Sequence, residues 1–227
     1  MSSGDGTERA SSRGTNKYVR ILDAAAEAFM ELGFEAASID HIADTLGVTK
    51  GNIYYYYKSK MDLFFAVHRR AMESNFDRLR PLAAAAELPA HQRLYRMVRA
   101  HALQMMEQTP YQRVTVQGLD MYQTASTTAA QRDQLDVLVA MRDEYESLFT
   151  ETVGEGVKTG VLRDVDPRLA TRTLLGSLNW ITMWYRPRPT DSAASREHTA
   201  EEVANQLLGG LSDASDDYLR GGEGATS

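Results

Sequence analysis

The chain has 227 residues, of which 43% are hydrophobic and 25% charged, with a formal net charge of -6 and no cysteine. That apolar fraction supports a packed core and excludes global disorder. The missing thiols exclude a disulfide framework, a cysteine-ligated zinc site and a catalytic thiol. No apolar run approaches the roughly 18 residues of a membrane span, and the first residues lack the apolar stretch of a secretory signal. A soluble cytoplasmic protein with no membrane partner is expected.

An acidic chain is a poor general polyanion binder, but the charge is uneven. Residues 1–70 hold nine Lys/Arg and nine Asp/Glu and are neutral, so the whole excess of acid lies in the remainder. A neutral N-terminal third on an acidic body is compatible with a local DNA-binding face.

Residues 1–14 are rich in Ser, Gly and Thr without a periodic apolar face and are expected to be a disordered tail, as are 221–227. Arg9 and Arg13 in the first tail could touch phosphate. From Lys17 the pattern becomes helical: Ile21, Leu22, Ala25, Ala28, Phe29 and Leu32 recur at helical spacing, and Gly33 ends the run. Ser38 reads as the cap of a second helix with Ile39, Ile42, Ala43 and Leu46 as its apolar stripe. Gly47 breaks the chain. Thr49 is expected to cap a third helix, from 50 to about 57. Ser59 caps a fourth, with Asp62 three residues on as in a capping box. Three short helices with a tight Gly turn between the second and third have helix-turn-helix spacing.

The rest is expected to be helical too, near 59–80, 90–108, 111–123, 128–158, 168–186 and 196–211, with breaks at prolines and glycines. No segment alternates with period two, so no sheet is expected and the fold class is all-α. The division expected is 15–62 for a helix-turn-helix domain and 63–220 for a helical effector-binding and dimerisation domain.

In a helix-turn-helix the second helix enters the major groove by its N-terminal end. That end must be slim and carry hydrogen-bonding side chains. Thr49, Lys50, Gly51 and Asn52 meet this need: Gly51 permits close approach, Asn52 can both donate and accept as adenine recognition requires, and Lys50 can reach a guanine edge or a phosphate. Ile53 and Tyr57, four apart, are expected to face the core. Tyr54, Tyr55 and Tyr56 sweep the remaining surface, where their hydroxyls can meet phosphate oxygens; a Tyr-rich protein-binding surface is the alternative. Lys58 and Lys60 flank the next helix start, where helix dipole and ammonium both favour phosphate.

Residues 17–64 resemble the DNA-binding region of the TetR family of bacterial transcriptional regulators. The resemblance is carried by Gly33-Phe34, Ser38, Ile42-Ala43, Gly47-Val48-Thr49-Lys50-Gly51, Ile53-Tyr54, Tyr55-Tyr56-Tyr57 and Lys58-Ser59-Lys60. It implies base contacts at Lys50, Gly51, Asn52 and Tyr54, and phosphate contacts at Tyr55, Tyr56 and Lys60. Three positions depart from the pattern. Asp40 and His41 stand where relatives often carry a basic residue, and Tyr57 replaces a usual Phe, so its hydroxyl needs a partner.

Further on, Asp166 is expected to cap a helix that begins with Pro167. The resemblance implies that the last two long helices pair with their copies in a homodimer. Leu169, Thr173, Gly176 and Ser177 on one, and Val203, Leu207 and Leu211 on the other, are the candidates for that interface. Leu178-Asn179-Trp180 with Trp184-Tyr185-Arg186-Pro187 is similar to a TetR subgroup that responds to acyl-CoA thioesters in fatty-acid or steroid catabolism. The two tryptophans could instead belong to the core or the dimer interface.

The candidate ligand-binding residues are His101, Met105, Met141, Arg142, Tyr145, Asn179, Trp180, Met183, Trp184 and Arg186. Methionines, including Met97, Met106 and Met121, could line an adaptable cavity, although each is equally at home in a core. Arg142, Arg172 and Arg186 could pair with the phosphates of CoA, or lie solvated on the surface.

No enzyme is expected. The histidines at 41, 68, 91, 101 and 198 show no metal-binding spacing, and there is no nucleophile-elbow or phosphate-loop motif. No metal or cofactor is implied. The expected partners are a double-stranded DNA operator with palindromic symmetry, a second copy of the chain and a small-molecule effector, for which the resemblance suggests an acyl-CoA. Two other readings stand beside this one: a regulator of an efflux system sensing cationic or aromatic drugs, and an interaction protein that has lost DNA binding.

Overall fold

The computed structural model describes the backbone of residues 5–124 and 128–209, with side chains from 17–118 and 128–209. All elements among these residues are helical: α1 (Asp5–Ala36), α2 (Ile39–Leu46), α3 (Lys50–Tyr54), α4 (Lys60–Ala83), α5 (Ala90–Glu107), α6 (Thr109–Thr124), α7 (Ala129–Lys158), α8 (Pro167–Asn179), α9 (Ile181–Trp184) and α10 (Ala193–Gly209).

Several local signals act as expected. Ser38 Oγ accepts from His41 N–H at 3.0 Å and caps α2. Gly47 closes that helix in the left-handed region, with φ 63°. Ser59 Oγ accepts from Asp62 N–H at 3.0 Å, and Asp166 Oδ1 accepts from Leu169 N–H at 2.6 Å.

Other expectations are corrected. The stretch 1–14 was expected as a tail, but α1 begins at Asp5. Once a helix exists, each further residue adds a hydrogen bond without a new nucleation cost, so polar sequence can extend it. Gly33 does interrupt α1, with φ 75° and ψ 167°, and a last turn runs on to Ala36. The third helix ends at Tyr54, not near 57, because the Tyr56 and Tyr57 amides both turn back onto the Ile53 carbonyl. Pro81 does not end α4, which continues to Ala83. The segment 168–186 is two helices. Thr182 Oγ1 donates to the Asn179 carbonyl at 2.8 Å, drawing that acceptor out of the regular ladder at the break.

The chain divides into two compact units, one from the residues up to Ser74 with Gln108–Met141, the other from Asn75–Glu107 with the residues from Arg142 onward. In the first, Ile21, Leu22, Ala25 and Phe29 of α1 meet Ile39 and Ile42 of α2, Ile53 of α3 and Leu63, Phe64 and Val67 of α4. Val114 of α6 and Leu135 and Leu138 of α7 join the same core. Phe64 is an edge-to-face partner of both Phe29 and Phe34, at 5.3 and 5.2 Å. The helix-turn-helix segment is thus braced by α6, whose Tyr111 hydroxyl donates to Asp23 at 2.7 Å.

In the second unit α5 is the central helix, buried along most of its length. Ala200 and Ala204 allow α10 to approach it, and Arg99 ties the two through Glu197 and Glu201. Arg93 donates to the Ala83 carbonyl at 2.9 Å and pairs with Glu155. Arg80 pairs with Glu144 at 2.7 Å.

Candidate nucleic-acid interface and helical body

The turn from α2 to α3 leaves the start of α3 open to solvent. Thr49, Lys50 and Gly51 are exposed, Asn52 is half-buried and Ile53 is fully buried. Tyr57 is buried as expected, with its ring 5.9 Å from that of Tyr18. Tyr55 is 82% exposed and Tyr54 47%, while Tyr56 packs partly against the core. The tyrosine run therefore divides, with the rings of Tyr54 and Tyr55 offered outward.

The start of α3 is not a set of free side chains. Lys50 Nζ lies 3.2 Å from Asp40 Oδ1, and both side chains are mostly exposed. Such a pair contributes no more than about 1 kcal/mol, so the ammonium can exchange it for a phosphate or a base. Thr49 occupies the cap position, but its hydroxyl makes no cap bond; it accepts from Asn52 Nδ2 at 3.2 Å. Asn52 Oδ1 in turn accepts from Lys17 Nζ at 2.9 Å.

Lys60, for which a phosphate contact is expected, donates its ammonium to three carbonyls in the chain by itself, Phe34 at 2.6 Å, Glu35 at 3.0 Å and Ala37 at 3.0 Å. It also lies 4.4 Å from the Phe34 ring centre. A lysine has three donors, and all are used. Its charge completes the C-terminal end of α1, where carbonyls lack helical partners.

The second unit brings together three of the expected ligand-binding residues. His101 on α5 is buried, with Nδ1 2.7 Å from the Tyr145 hydroxyl and Nε2 3.1 Å from Asn179 Oδ1. A carbonyl oxygen only accepts, so Nε2 carries the proton and Nδ1 accepts from Tyr145. Burial lowers the His101 pKa to about 4, against a smaller upward pull from Asn179, and the ring is neutral. Phe76 and Phe149 pack on Tyr145, at 5.6 and 5.8 Å between ring centres. Neither phenylalanine carries a chemical signal in the sequence. Met105, one turn beyond His101, is also buried.

The remaining expected pocket residues lie elsewhere. Trp180, Met183 and Trp184 are 62%, 39% and 49% exposed, because the break after Asn179 turns them outward. Arg186 is exposed and donates to the carbonyl of Tyr185. Met141 packs against the core of the first unit. Arg142 is exposed beside Asp143, at 3.2 Å, and Arg172 pairs with Glu146 at 2.9 Å. Each of the three arginines thus has a partner close to it in the chain or on an adjoining helix. Met121 falls outside the residues whose side chains are described.

The expected dimer residues on α8 share an exposed face: Leu169 is 67% exposed, and Thr173, Gly176 and Ser177 are exposed with it. Val203 and Leu207 of α10 are half-buried, and Leu211 lies outside the described residues. A cleft of about 380 Å³ runs between Leu169, Thr173, Leu174 and Leu207. A second, of about 520 Å³, opens between Leu94, Tyr95, Leu162 and Leu208. No helix among the described residues is long and apolar enough to cross a membrane.

An all-helical chain whose exposed helix start follows a glycine turn, joined to a larger helical body, defines a helix-turn-helix regulator. Residues 21–67 match the family of bacterial regulatory proteins called tetR, and residues 87–211 match the tetracyclin repressor-like C-terminal domain. The chain belongs to the TetR family of DNA-binding transcription regulators and is not an enzyme. It is 25% identical over 201 residues to the HTH-type transcriptional repressor KstR2 of Rhodococcus jostii, covering 87% of this chain and 92% of that one. Among solved structures it resembles the TetR family regulator PfmR of Thermus thermophilus, with TM-score 0.71 and 30% identity over 85% of this chain and 98% of that one. It also shares the fold of AibR, solved with isovaleryl coenzyme A and operator DNA, with TM-score 0.67 and 23% identity over 86% and 97% of the two chains.

Proposed function

We propose that the chain is a repressor that binds a palindromic operator as a homodimer and leaves it when an acyl-CoA thioester binds its helical body. The observation that carries the reading is the solvent-open start of α3, where Lys50, Gly51 and Asn52 stand beside Tyr54 and Tyr55. One such helix offers few base contacts, and a two-fold pair doubles them. The exposed face of α8, where Leu169 stands with the small residues Gly176 and Ser177, supports pairing. For the DNA-binding part the reading takes residues 15–62, and for effector binding and dimerisation the helices that follow.

The effector class rests on likeness and on one buried cluster. KstR2 is a repressor by name, and AibR was solved with isovaleryl coenzyme A. His101, Tyr145 and Asn179 form a connected polar group enclosed by aromatic rings, the kind of group that orients a ligand in an apolar body. Helix α4 is continuous from Lys60 to Ala83 and supplies residues to both units, so a ligand that shifts it changes the seating of α3. A ligand that prefers the released state by about 3 kcal/mol lowers operator affinity on the order of 100-fold.

The test is to titrate isovaleryl-CoA, a long-chain acyl-CoA and a steroid acyl-CoA into the complex with labelled promoter DNA. Anisotropy reports release and tryptophan fluorescence reports binding. Release by a thioester but not by free CoA supports the reading. Release by cationic dyes alone replaces it with an efflux-type regulator.

A further inference from the structure

The first turns of α1 carry a basic face. Between Glu8 and Asp23 the sequence holds Arg9, Arg13, Lys17 and Arg20 and no acidic residue. The helix is continuous from Asp5 as far as Gly33. At 3.6 residues per turn, the four basic positions fall within about 80° of one another. The core positions Ile21, Leu22 and Ala25 lie on the opposite side of the same helix. Further along, the basic face passes into Glu27 and Glu31, both exposed, so its positive charge is confined to the N-terminal end. Asp5 and Glu8 stand in the first turn, where the helix dipole favours acid.

Lys17 fixes where this face lies. Its ammonium donates to Asn52 Oδ1 of α3 at 2.9 Å, and Arg20, one turn on, is exposed. The face therefore begins beside the open start of α3, and positions 13 and 9 continue it by about 6 and 12 Å along the axis. The residues between them, Ala10, Ser11, Ser12, Gly14, Thr15 and Asn16, provide no apolar stripe to bury against protein. A polar helix with cations along one face suits a polyanion. We propose that the N-terminal turns of α1 are a second DNA-contacting element, in which Arg9, Arg13 and Arg20 bind backbone phosphates beside the groove that α3 enters. Such contacts add affinity without base preference. This inference rests on DNA binding through α3.

The experiment uses the full-length protein and a duplex that it selects from a randomised library. Arg9→Gln with Arg13→Gln removes two charges at similar helix propensity. The slope of binding against salt is expected to fall by about 2 for each bound chain. Affinity should fall by the same factor for the selected duplex and for one of unrelated sequence, and the selected sequence should not change. A second variant moves the charges without removing them: Arg9→Ala with Ala10→Arg, and Arg13→Gly with Gly14→Arg, turn both by about 100° around the helix. It is expected to lose slope as the first does. An unchanged slope in the first variant overturns the inference. A second variant that binds like the wild type overturns the helical face, because charge alone then suffices. A changed selected sequence overturns the phosphate assignment in favour of base contacts. A folded wild type that enriches no sequence overturns DNA recognition by α3, and this inference with it.

Discussion

The Lys60 ammonium and the Phe34 carbonyl lie 2.6 Å apart, and through them the first turn of α4 holds the frayed end of α1. Lys60 was expected on DNA. Its position at a helix start favours phosphate in an isolated helix, but in the folded chain its three donors are held by carbonyls at the end of α1, in bonds that are part-buried or exposed. Lys60→Ala is therefore expected to destabilise the fold by roughly 1–3 kcal/mol, the scale of hydrogen bonds to a charged group. The salt slope of operator binding should stay unchanged. Urea denaturation and binding at several salt concentrations check both parts; a slope reduced by about 1 without loss of stability would restore the phosphate assignment.

Asp40 pairs with Lys50, which the proposed function places on DNA. Both groups of the pair are exposed, so its contribution to stability is small. Asp40→Asn should leave the unfolding midpoint near that of the wild type. Operator affinity should rise by up to about 5-fold, since an anion near the phosphates is removed and Lys50 is released. Equal affinities of variant and wild type in fluorescence anisotropy would show that Lys50 does not reach the duplex.

His101 makes stability depend on pH. Its pKa is about 4 in the folded chain, depressed by burial from an ordinary value near 6.5. The neutral form is favoured on folding, so its stabilising effect is complete above about pH 6.5 and is lost as pH falls toward 4, where the unfolded chain takes up the proton first. A loss on the order of 3 kcal/mol across that window is expected. His101→Gln should flatten this part of the profile in chemical denaturation at a series of pH values. An unchanged slope would place the acid sensitivity elsewhere.

Gly176 offers a test of pairing. A Cβ there meets nothing within 4 Å in the chain, and the residue lies on the exposed face of α8. Within one chain, Gly176→Ala should stabilise the helix by up to about 1 kcal/mol. If a second copy packs closely on this face, the added methyl should instead weaken association. Sedimentation equilibrium is expected to show a wild-type dimer and a raised dissociation constant for the variant. A wild-type monomer at micromolar concentration would remove the dimer from the proposal.

Periodicity and punctuation in the sequence determined that the chain is all-helical. They also marked the caps at Ser38, Ser59 and Asp166, the turn at Gly47 and the inward aim of Ile53, because each depends on residues within a turn or two of one another. The solvent-open start of α3 at Thr49–Asn52 was legible for the same reason. Tertiary structure alone decided who pairs with whom. Lys60 reaches back to the carbonyls at the end of α1, Asn52 is held by Lys17 from 35 positions away, and Asp40 pairs with Lys50. In the second unit it joined His101 to Tyr145 and Asn179, yet turned Trp180 and Trp184 outward and sent Met141 to a different core. Spacing along a helix fixes which residues share a face. Which face meets water, another helix or a distant side chain is set by how the helices pack, and this long-range choice leaves no mark in the local pattern.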